Sequence, residues 1–156
     1  MIRFISCALL LACVGGCAAP GASSLGNFSA APVPVQQQLA EVAVRQLVLL
    51  HPPGSTRFTL QQPVGDAFGQ PLVAGLRARG YALQDFKAQA EATVAPGTPA
   101  MSPPAALGMP LGYVLDQVAG LGLYRISLVV GSQTLTRVYE AHEGKLAPAG
   151  AWVRKE

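Results

Sequence analysis

Few residues could act as nucleophiles, bases or metal ligands, and of these only the cysteines are clustered. All three cysteines, Cys7, Cys13 and Cys17, lie within the first 17 of the 156 residues. A thiol is a strong nucleophile and can accept an acyl or alkyl group. The two histidines, His51 and His142, lie far apart in the sequence next to turn signals, and we expect both to be structural or exposed to solvent. The most reactive groups are therefore concentrated near the N-terminus.

The other polar residues form no recognisable catalytic or metal-binding pattern. His142 and Glu143 begin like a zinc-protease motif, but the second histidine four positions after the first is missing. The chain contains no nucleophile elbow, phosphate-binding loop or dinucleotide-binding glycine motif. The carboxylates are dispersed, and no two stand out as an acid–base pair: Glu41, Asp66, Asp85, Glu91, Asp116, Glu140, Glu143 and Glu156. We therefore predict that the protein is not an enzyme and uses no metal and no cofactor.

The N-terminal residues have the pattern of a bacterial lipoprotein signal peptide, predicted over residues 1–16. Arg3 precedes an apolar stretch at residues 4–14, which is too short to span a bilayer. Residues 14–17, Val-Gly-Gly-Cys, resemble a lipobox, in which small residues precede the cysteine that accepts the lipid. Cys17 is thus the predicted lipidation site, carrying diacylglycerol and palmitate-type chains.

Cys13 is the alternative lipidation site. The Leu-Leu-Ala sequence before it matches the lipobox consensus more closely, but cleavage there leaves a shorter apolar stretch. A small residue, Ala18, follows Cys17, and this is typical of lipoproteins sorted to the outer membrane. The sequence predicts a protein held in the outer membrane by its lipid and facing the periplasm.

Composition and charge narrow the classes of partner. Hydrophobic residues make up 51% of the chain and charged residues 12%, and the formal net charge is only +3. No run of Lys or Arg reaches three residues, so we expect no nucleic-acid-binding surface. Because charged residues are so few, we expect apolar surface to remain available for a protein partner. No small-molecule substrate is indicated.

The mature chain is predicted to hold one folded domain behind a tether. Residues 17–35 have no charge and contain Pro20, Pro32 and Pro34, which predicts a lipidated cysteine followed by a flexible tether. The length of residues 36–156 suits a single periplasmic α+β domain. Within it, residues 89–110 contain five prolines and one charge and are predicted to form a flexible Pro-rich loop.

Periodicity in the first half of the domain predicts a helix and then a β-α-β unit. Residues 36–50 repeat apolar side chains at three- and four-residue spacing, which indicates an amphipathic helix. Residues 55–86 are predicted to form strand, helix and strand. Asp66 is the predicted N-cap of the second helix, although the helix could instead begin nearer Pro71. Gly80 is its predicted C-cap.

The second half of the domain predicts antiparallel strands. Residues 123–130 and 133–140 flank Gly131-Ser132, a two-residue turn of the type II′ kind. This register places Leu128 opposite Leu135 and Tyr124 opposite Tyr139, and a closing strand is predicted around residues 151–153. The predicted fold is therefore α+β: a small two-layer sandwich with two helices on one side of a mostly antiparallel sheet.

Several segments of this chain resemble the TrbH family of conjugal transfer lipoproteins. The most specific is Gly65-Asp66-Ala67-Phe68-Gly69 followed by an amphipathic helix that ends in Arg79-Gly80-Tyr81. Residues 51–56, 112–116 and 123–139 also resemble the family, and the likeness covers the signal peptide and most of residues 36–153.

The resemblance implies a structural component of the mating-pair formation apparatus, a type IV secretion system that moves plasmid DNA between bacteria. The implied partners are other envelope subunits of that apparatus. The alternative is a ligand-binding envelope lipoprotein that binds peptidoglycan or a polysaccharide without a secretion machine. That function requires a concave site lined by aromatic and polar groups.

Overall fold

Two helices pack on one face of a mixed β-sheet in this computed structural model, which describes residues 24–87, 108–118 and 121–156. The elements are β1 (Gly26–Asn27), α1 (Val33–Leu50), a short 3-10 helix (Pro53–Ser55), β2 (Arg57–Leu60), α2 (Gly69–Ala78), β3 (Ala82–Gln84), β4 (Met109–Val118), β5 (Leu123–Val130), β6 (Gln133–His142), β7 (Lys145–Pro148) and β8 (Val153–Lys155). The strand order is β3-β2-β4-β5-β6-β7, and β1 and β8 pair with β4 and β6. The predicted α+β class with two helices is confirmed.

The first helix begins earlier than the sequence predicted, at Val33 instead of residue 36. Pro34 lies in its first turn, where the missing N–H has no helical partner to lose. Upstream of the helix, β1 pairs in parallel with β4. Residues 24–35, predicted as tether, therefore lie within the folded domain. The prolines that suggested a linker, Pro32 and Pro34, stand at the start of the helix. The other predicted tether residues, 17–23, lie outside the described residues.

The β-α-β unit is confirmed by parallel pairing of β2 with β3 around α2. The helix begins at Gly69, between the two predicted starting points, so Pro71 falls in the first turn and breaks no helical hydrogen bond. At its other end the N–H of Gly80 bonds Arg77 and the N–H of Tyr81 bonds Leu76, as in a Schellman motif. Gly80 therefore terminates the helix as predicted.

Strand β4 lies near the centre of the sheet and overlaps the end of the predicted Pro-rich loop. Met109 and Pro110, which the sequence assigned to the loop, pair with Phe58 and Thr59 of β2. Residues 88–107 of that loop lie outside the described residues. Beyond Pro110, alternate side chains of β4 enter the core, including Leu111 and Leu115.

The C-terminal half forms the predicted hairpin with the predicted register. Leu128 lies opposite Leu135 and Tyr124 opposite Tyr139, and Gly131 adopts a positive φ of 61° at the first turn position. Two further strands, β7 and β8, pair antiparallel with β6. The closing strand lies two residues later than predicted, at Val153–Lys155, and β7 was not predicted.

The core lies between the helices and the inner face of the sheet. Its largest fully buried side chains come from both helices and from β2, β4 and β5, and they include Leu39, Leu47, Phe58, Leu72 and Ile126. In the part of the chain that the structure describes, no helix is long and apolar enough to cross a membrane.

Truncating Leu39 tests whether α1 depends on this core. Leu39 is completely buried, whereas Leu49 on the same helix is 78% exposed. We expect Leu39→Ala to lower the free energy of unfolding by about 3 kcal/mol, because it removes buried methyl groups and leaves a cavity. The matched control Leu49→Ala should change it by less than about 0.5 kcal/mol. Urea unfolding followed by far-UV circular dichroism measures both, and equal losses would contradict the assignment.

Candidate functional site

The predicted lipidation residues Cys17 and Cys13 lie outside the described residues. Two other features stand out in the described part of the chain. One is a hydrogen-bond network centred on Asp66, and the other is an open groove between α1 and the C-terminal strands.

Asp66 lies in the loop between β2 and α2 and accepts hydrogen bonds from three separate elements. Its Oδ1 accepts from the backbone N–H groups of Phe68 and Gly69, each at 3.0 Å, and from Asn27 Nδ2 at 2.9 Å. Its Oδ2 accepts from the hydroxyl of Tyr113 on β4. The carboxylate therefore satisfies the free N–H groups at the start of α2 and also ties β1 and β4 to it.

The network continues from Asn27 into α1. The amide Nδ2 of Asn27 also donates to Oε1 of Gln36 at 2.6 Å, and Gln36 Nε2 donates to the carbonyl of Ala31 at 2.7 Å. Gln36 is buried, so these bonds satisfy polar atoms that water cannot reach. One connected set of side chains thus joins β1, α1, α2 and β4.

The electrostatics of the network keep Asp66 ionised and Tyr113 protonated. Burial by itself would raise the pKa of Asp66, but the hydrogen bonds from Tyr113, Gly69, Asn27 and Phe68 outweigh it, and the pKa is lowered. Burial, together with the hydrogen bond to Asp66, raises the pKa of Tyr113 well above its usual range. A proton transfer between the two is therefore disfavoured near neutral pH, and the pair serves a structural purpose.

Two neighbours complete this region. Oε1 of Gln62 accepts a hydrogen bond from the backbone N–H of Tyr113 at 3.0 Å. Tyr113 lies in the short part of β4 between the residues that pair with β2 and those that pair with β1. Gly69 lies so close to the Tyr113 hydroxyl that a Cβ at this position would overlap it. The second glycine of the Gly-Asp-Ala-Phe-Gly segment is thus needed for this close approach.

The two histidines lie in different parts of the fold. The ring of His51 meets Phe58 edge-on at 6.0 Å, and its carbonyl accepts from the Tyr81 hydroxyl. Burial, and next the positive charge of Arg154, lower the pKa of His51. His142 is 84% exposed beside Glu143. The described residues contain no group of three potential metal ligands.

Three of the scattered carboxylates form ion pairs with arginine. Glu41 pairs with Arg45, Asp85 with Arg77, and Asp116 with Arg125. The partners of the first two pairs are more than half exposed, so these pairs contribute little to stability. Among the carboxylates of the described residues, only Asp66 is engaged by several buried or half-buried elements at once.

The groove runs along α1 and encloses about 450 Å³. One wall is a stripe of α1: Gln38, Glu41, Val42, Arg45, Gln46 and Leu49. The other comes from β6, β7 and the segment before β8: Arg137, Tyr139, Leu146, Pro148 and Trp152.

Tyr139 forms the floor of the groove. It is buried, meets the half-buried Trp152 at 6.5 Å, and has the Arg137 guanidinium 5.2 Å from its ring centroid. Burial raises the pKa of Tyr139, and the charges of Arg137 and Arg45 oppose that rise. Both arginines are thus close enough to influence the phenol.

The sequence identified Asp66 as a helix cap but not as a centre of tertiary contacts. Asn27 and Tyr113 lie 39 and 47 residues away from it, so no local spacing signals their meeting. The groove residues are equally dispersed along the chain. The low fraction of charged residues was the one sequence signal for such a surface.

Removing the Asp66 carboxylate should destabilise the whole domain. We expect Asp66→Ala to lower the free energy of unfolding by about 2 kcal/mol, because several donors to a charged acceptor lose their partner. Asp85→Ala, which removes a carboxylate that is 71% exposed, is the matched control and should cost less than about 0.5 kcal/mol. Urea unfolding at pH 7 measures both, and a loss for Asp66→Ala no larger than the control would contradict the role of the network.

The contribution of Asp66 should also disappear in acid. Its folded pKa lies below the ordinary value of about 3.9, so its stabilising effect is complete above about pH 4 and is lost as the pH falls through the lower folded pKa. The stability difference between wild type and Asp66→Ala should therefore be constant from about pH 5 to 7 and shrink below about pH 4. Urea unfolding across this range tests it, and a difference that grows in acid would refute it.

The comparisons with known proteins give one match. The family model described as conjugal transfer protein TrbH matches residues 22–156, which include the Asp66 network and the groove. No curated protein and no solved structure is significantly similar to the chain. Because the family match covers most of the sequence, the chain belongs to the TrbH family of conjugal transfer proteins.

Proposed function

We propose that this conjugal transfer protein is a structural, lipid-anchored component of a type IV secretion apparatus, located in the outer membrane and facing the periplasm. The observation that carries the proposal is the family match over residues 22–156, together with a lipobox-like sequence that ends at Cys17, shortly before the match begins. Its partners are other envelope subunits of the mating-pair formation apparatus. The protein binds no nucleic acid itself.

The position of the folded domain supports an anchoring role. The described chain begins at Ser24, and β1 follows at Gly26–Asn27. Ser24 lies seven residue steps after Cys17, so the two residues are at most about 25 Å apart even when the chain between them is fully extended. A lipid on Cys17 would therefore hold the domain close to the membrane surface, much closer than a tether reaching residue 35 would.

The chemistry of the described residues supports a structural role over catalysis. The one carboxylate with several buried or half-buried partners, Asp66, is occupied by hydrogen bonds and held ionised beside a protonated tyrosine. Such a saturated network stabilises a fold, whereas a general acid or base needs a pKa near the working pH.

Plasmid transfer from a donor strain tests the function and the anchor together. We expect deletion of the gene to abolish transfer, and the wild-type gene and Cys13→Ser to restore it. Cys17→Ser should fail to restore transfer, because the thiol that accepts the lipid is gone. Incorporation of radiolabelled palmitate into each variant provides a direct readout of lipidation.

The controls separate the two parts of the proposal. The reverse cysteine pattern would move the anchor to Cys13 and leave the transfer role in place. Unchanged transfer in the deletion strain would contradict the role in conjugation. Sedimentation of the protein with purified cell wall would then favour the alternative, a peptidoglycan- or polysaccharide-binding lipoprotein.

A further inference from the structure

The groove between α1 and the C-terminal strands has the dimensions of a peptide site. Its α1 wall extends from Gln38 to Leu49, and eleven helical steps of 1.5 Å give a length of about 16 Å. An extended chain advances about 3.3 Å per residue, so about five residues fit along it. Its volume of about 450 Å³ lies within the usual range of ligand sites.

The groove leaves several apolar side chains partly or largely exposed to water. Leu49 at one end is 78% exposed, although Leu47 on the same helix is completely buried. Val42 and Trp152 are only half-buried and form part of the lining. Covering these side chains would remove apolar surface from water, which favours a partner with an aliphatic or aromatic side chain.

The charges on the rim favour an acidic partner. Arg45 and Arg137 lie on opposite walls, and Glu41 is the one carboxylate among the lining residues, which leaves a positive excess. The Glu41–Arg45 pair is exposed by more than half on both side chains, so an incoming carboxylate can join or replace it at little cost. Arg137 is held in place because its Nε donates to the Gly150 carbonyl at 2.7 Å.

From this geometry we propose that the groove binds an extended segment of another protein, about five residues long, that carries an aspartate or glutamate between apolar side chains. The apolar side chains lie over Trp152, Val42 and Leu49, and the carboxylate lies between Arg45 and Arg137. A second copy of this chain fits less well, because a two-fold contact between identical grooves would bring like-charged arginines together.

This inference depends neither on lipidation nor on the transfer role, because it concerns only the described domain. The two proposals therefore fail independently. Loss of transfer on deletion says nothing about the groove, and peptide binding in vitro does not establish conjugation.

Fluorescence of Trp152 tests the inference, because it is the only tryptophan in the chain and lines the groove. The full chain in phosphatidylcholine liposomes is titrated with acetyl-Ala-Leu-Glu-Leu-Ala-amide and with the matched peptides carrying glutamine or lysine at the centre. We expect the glutamate peptide to shift the emission to shorter wavelength with a Kd about five to ten times lower than the glutamine peptide. The lysine peptide should bind more weakly than both.

Variants locate the binding and the charge preference. Arg137→Gln and Arg45→Gln should each reduce the preference for glutamate. Arg45→Gln is the second test because the side chain of Arg45 is 58% exposed, so its replacement should cost little stability. Leu49→Ser should weaken the glutamate and glutamine peptides alike. Arg77→Gln on α2 removes an arginine outside the groove and should leave both affinities unchanged.

Several outcomes would overturn the proposal. Equal affinity for the three peptides would remove the acidic preference, and no emission shift by about 10 mM would remove the site. A shift that grows with the protein-to-lipid ratio in the absence of peptide would assign the groove to a second copy. A shift on changing to phosphatidylglycerol liposomes would assign it to an anionic lipid surface.

Discussion

Asp66 carries a carboxylate that the start of α2, the N-terminal strand β1 and the central strand β4 all use as a hydrogen-bond acceptor. Its position in the loop after β2 makes this possible, because the loop crosses the edge of β4 between β2 and β1. Asn27 extends the same network to α1 through Gln36. Hydrogen bonds that link both helices and the N-terminal strand to the sheet therefore depend on one ionised side chain. The pKa of Asp66 is lowered because these hydrogen bonds stabilise its ionised form.

The edge of β4 shows how the network and the sheet support each other. Met109–Leu111 pair with β2, and Val114 and Leu115 pair with β1, so two short strands share one edge of a long one. The side chain of Gln62 accepts from the N–H of Tyr113 at the gap between them. Strand β1 is only two residues long, and backbone pairing alone would hold it weakly. The side chain of Asn27 strengthens this attachment through its bonds to Asp66 and Gln36.

Local sequence patterns predicted the local structure well, whereas they could not predict contacts between segments that are distant in the sequence. The glycine at 131 fixed the hairpin turn and hence the Leu128–Leu135 register, and the end of α2 at Gly80 followed from the same kind of signal. Prolines were misleading, because Pro34 begins a helix and Pro110 lies in a strand, although each stands in a Pro-rich stretch. Proline only fixes φ and removes a donor, and both conditions suit a first helical turn as well as a linker. Hydrogen bonds join Asn27, Asp66 and Tyr113 only once the chain has its folded topology. No spacing between these residues in the sequence predicts that they meet.

The topology also separates the end of the domain that leads toward Cys17 from the groove. Strand β1 pairs with β4, and the groove wall begins at β6, so three strand spacings of about 4.8 Å lie between them, about 14 Å in all. If Cys17 carries the lipid, any pull from the membrane acts first on β1, and the Asn27–Asp66 bond resists it. The groove is lined by β6, β7, the segment before β8 and a stripe of α1, and none of its lining residues belongs to β1 or to the Asp66 network. A partner can therefore occupy the groove without competing for the residues that hold the N-terminal strand, so attachment and recognition can be altered separately by mutation.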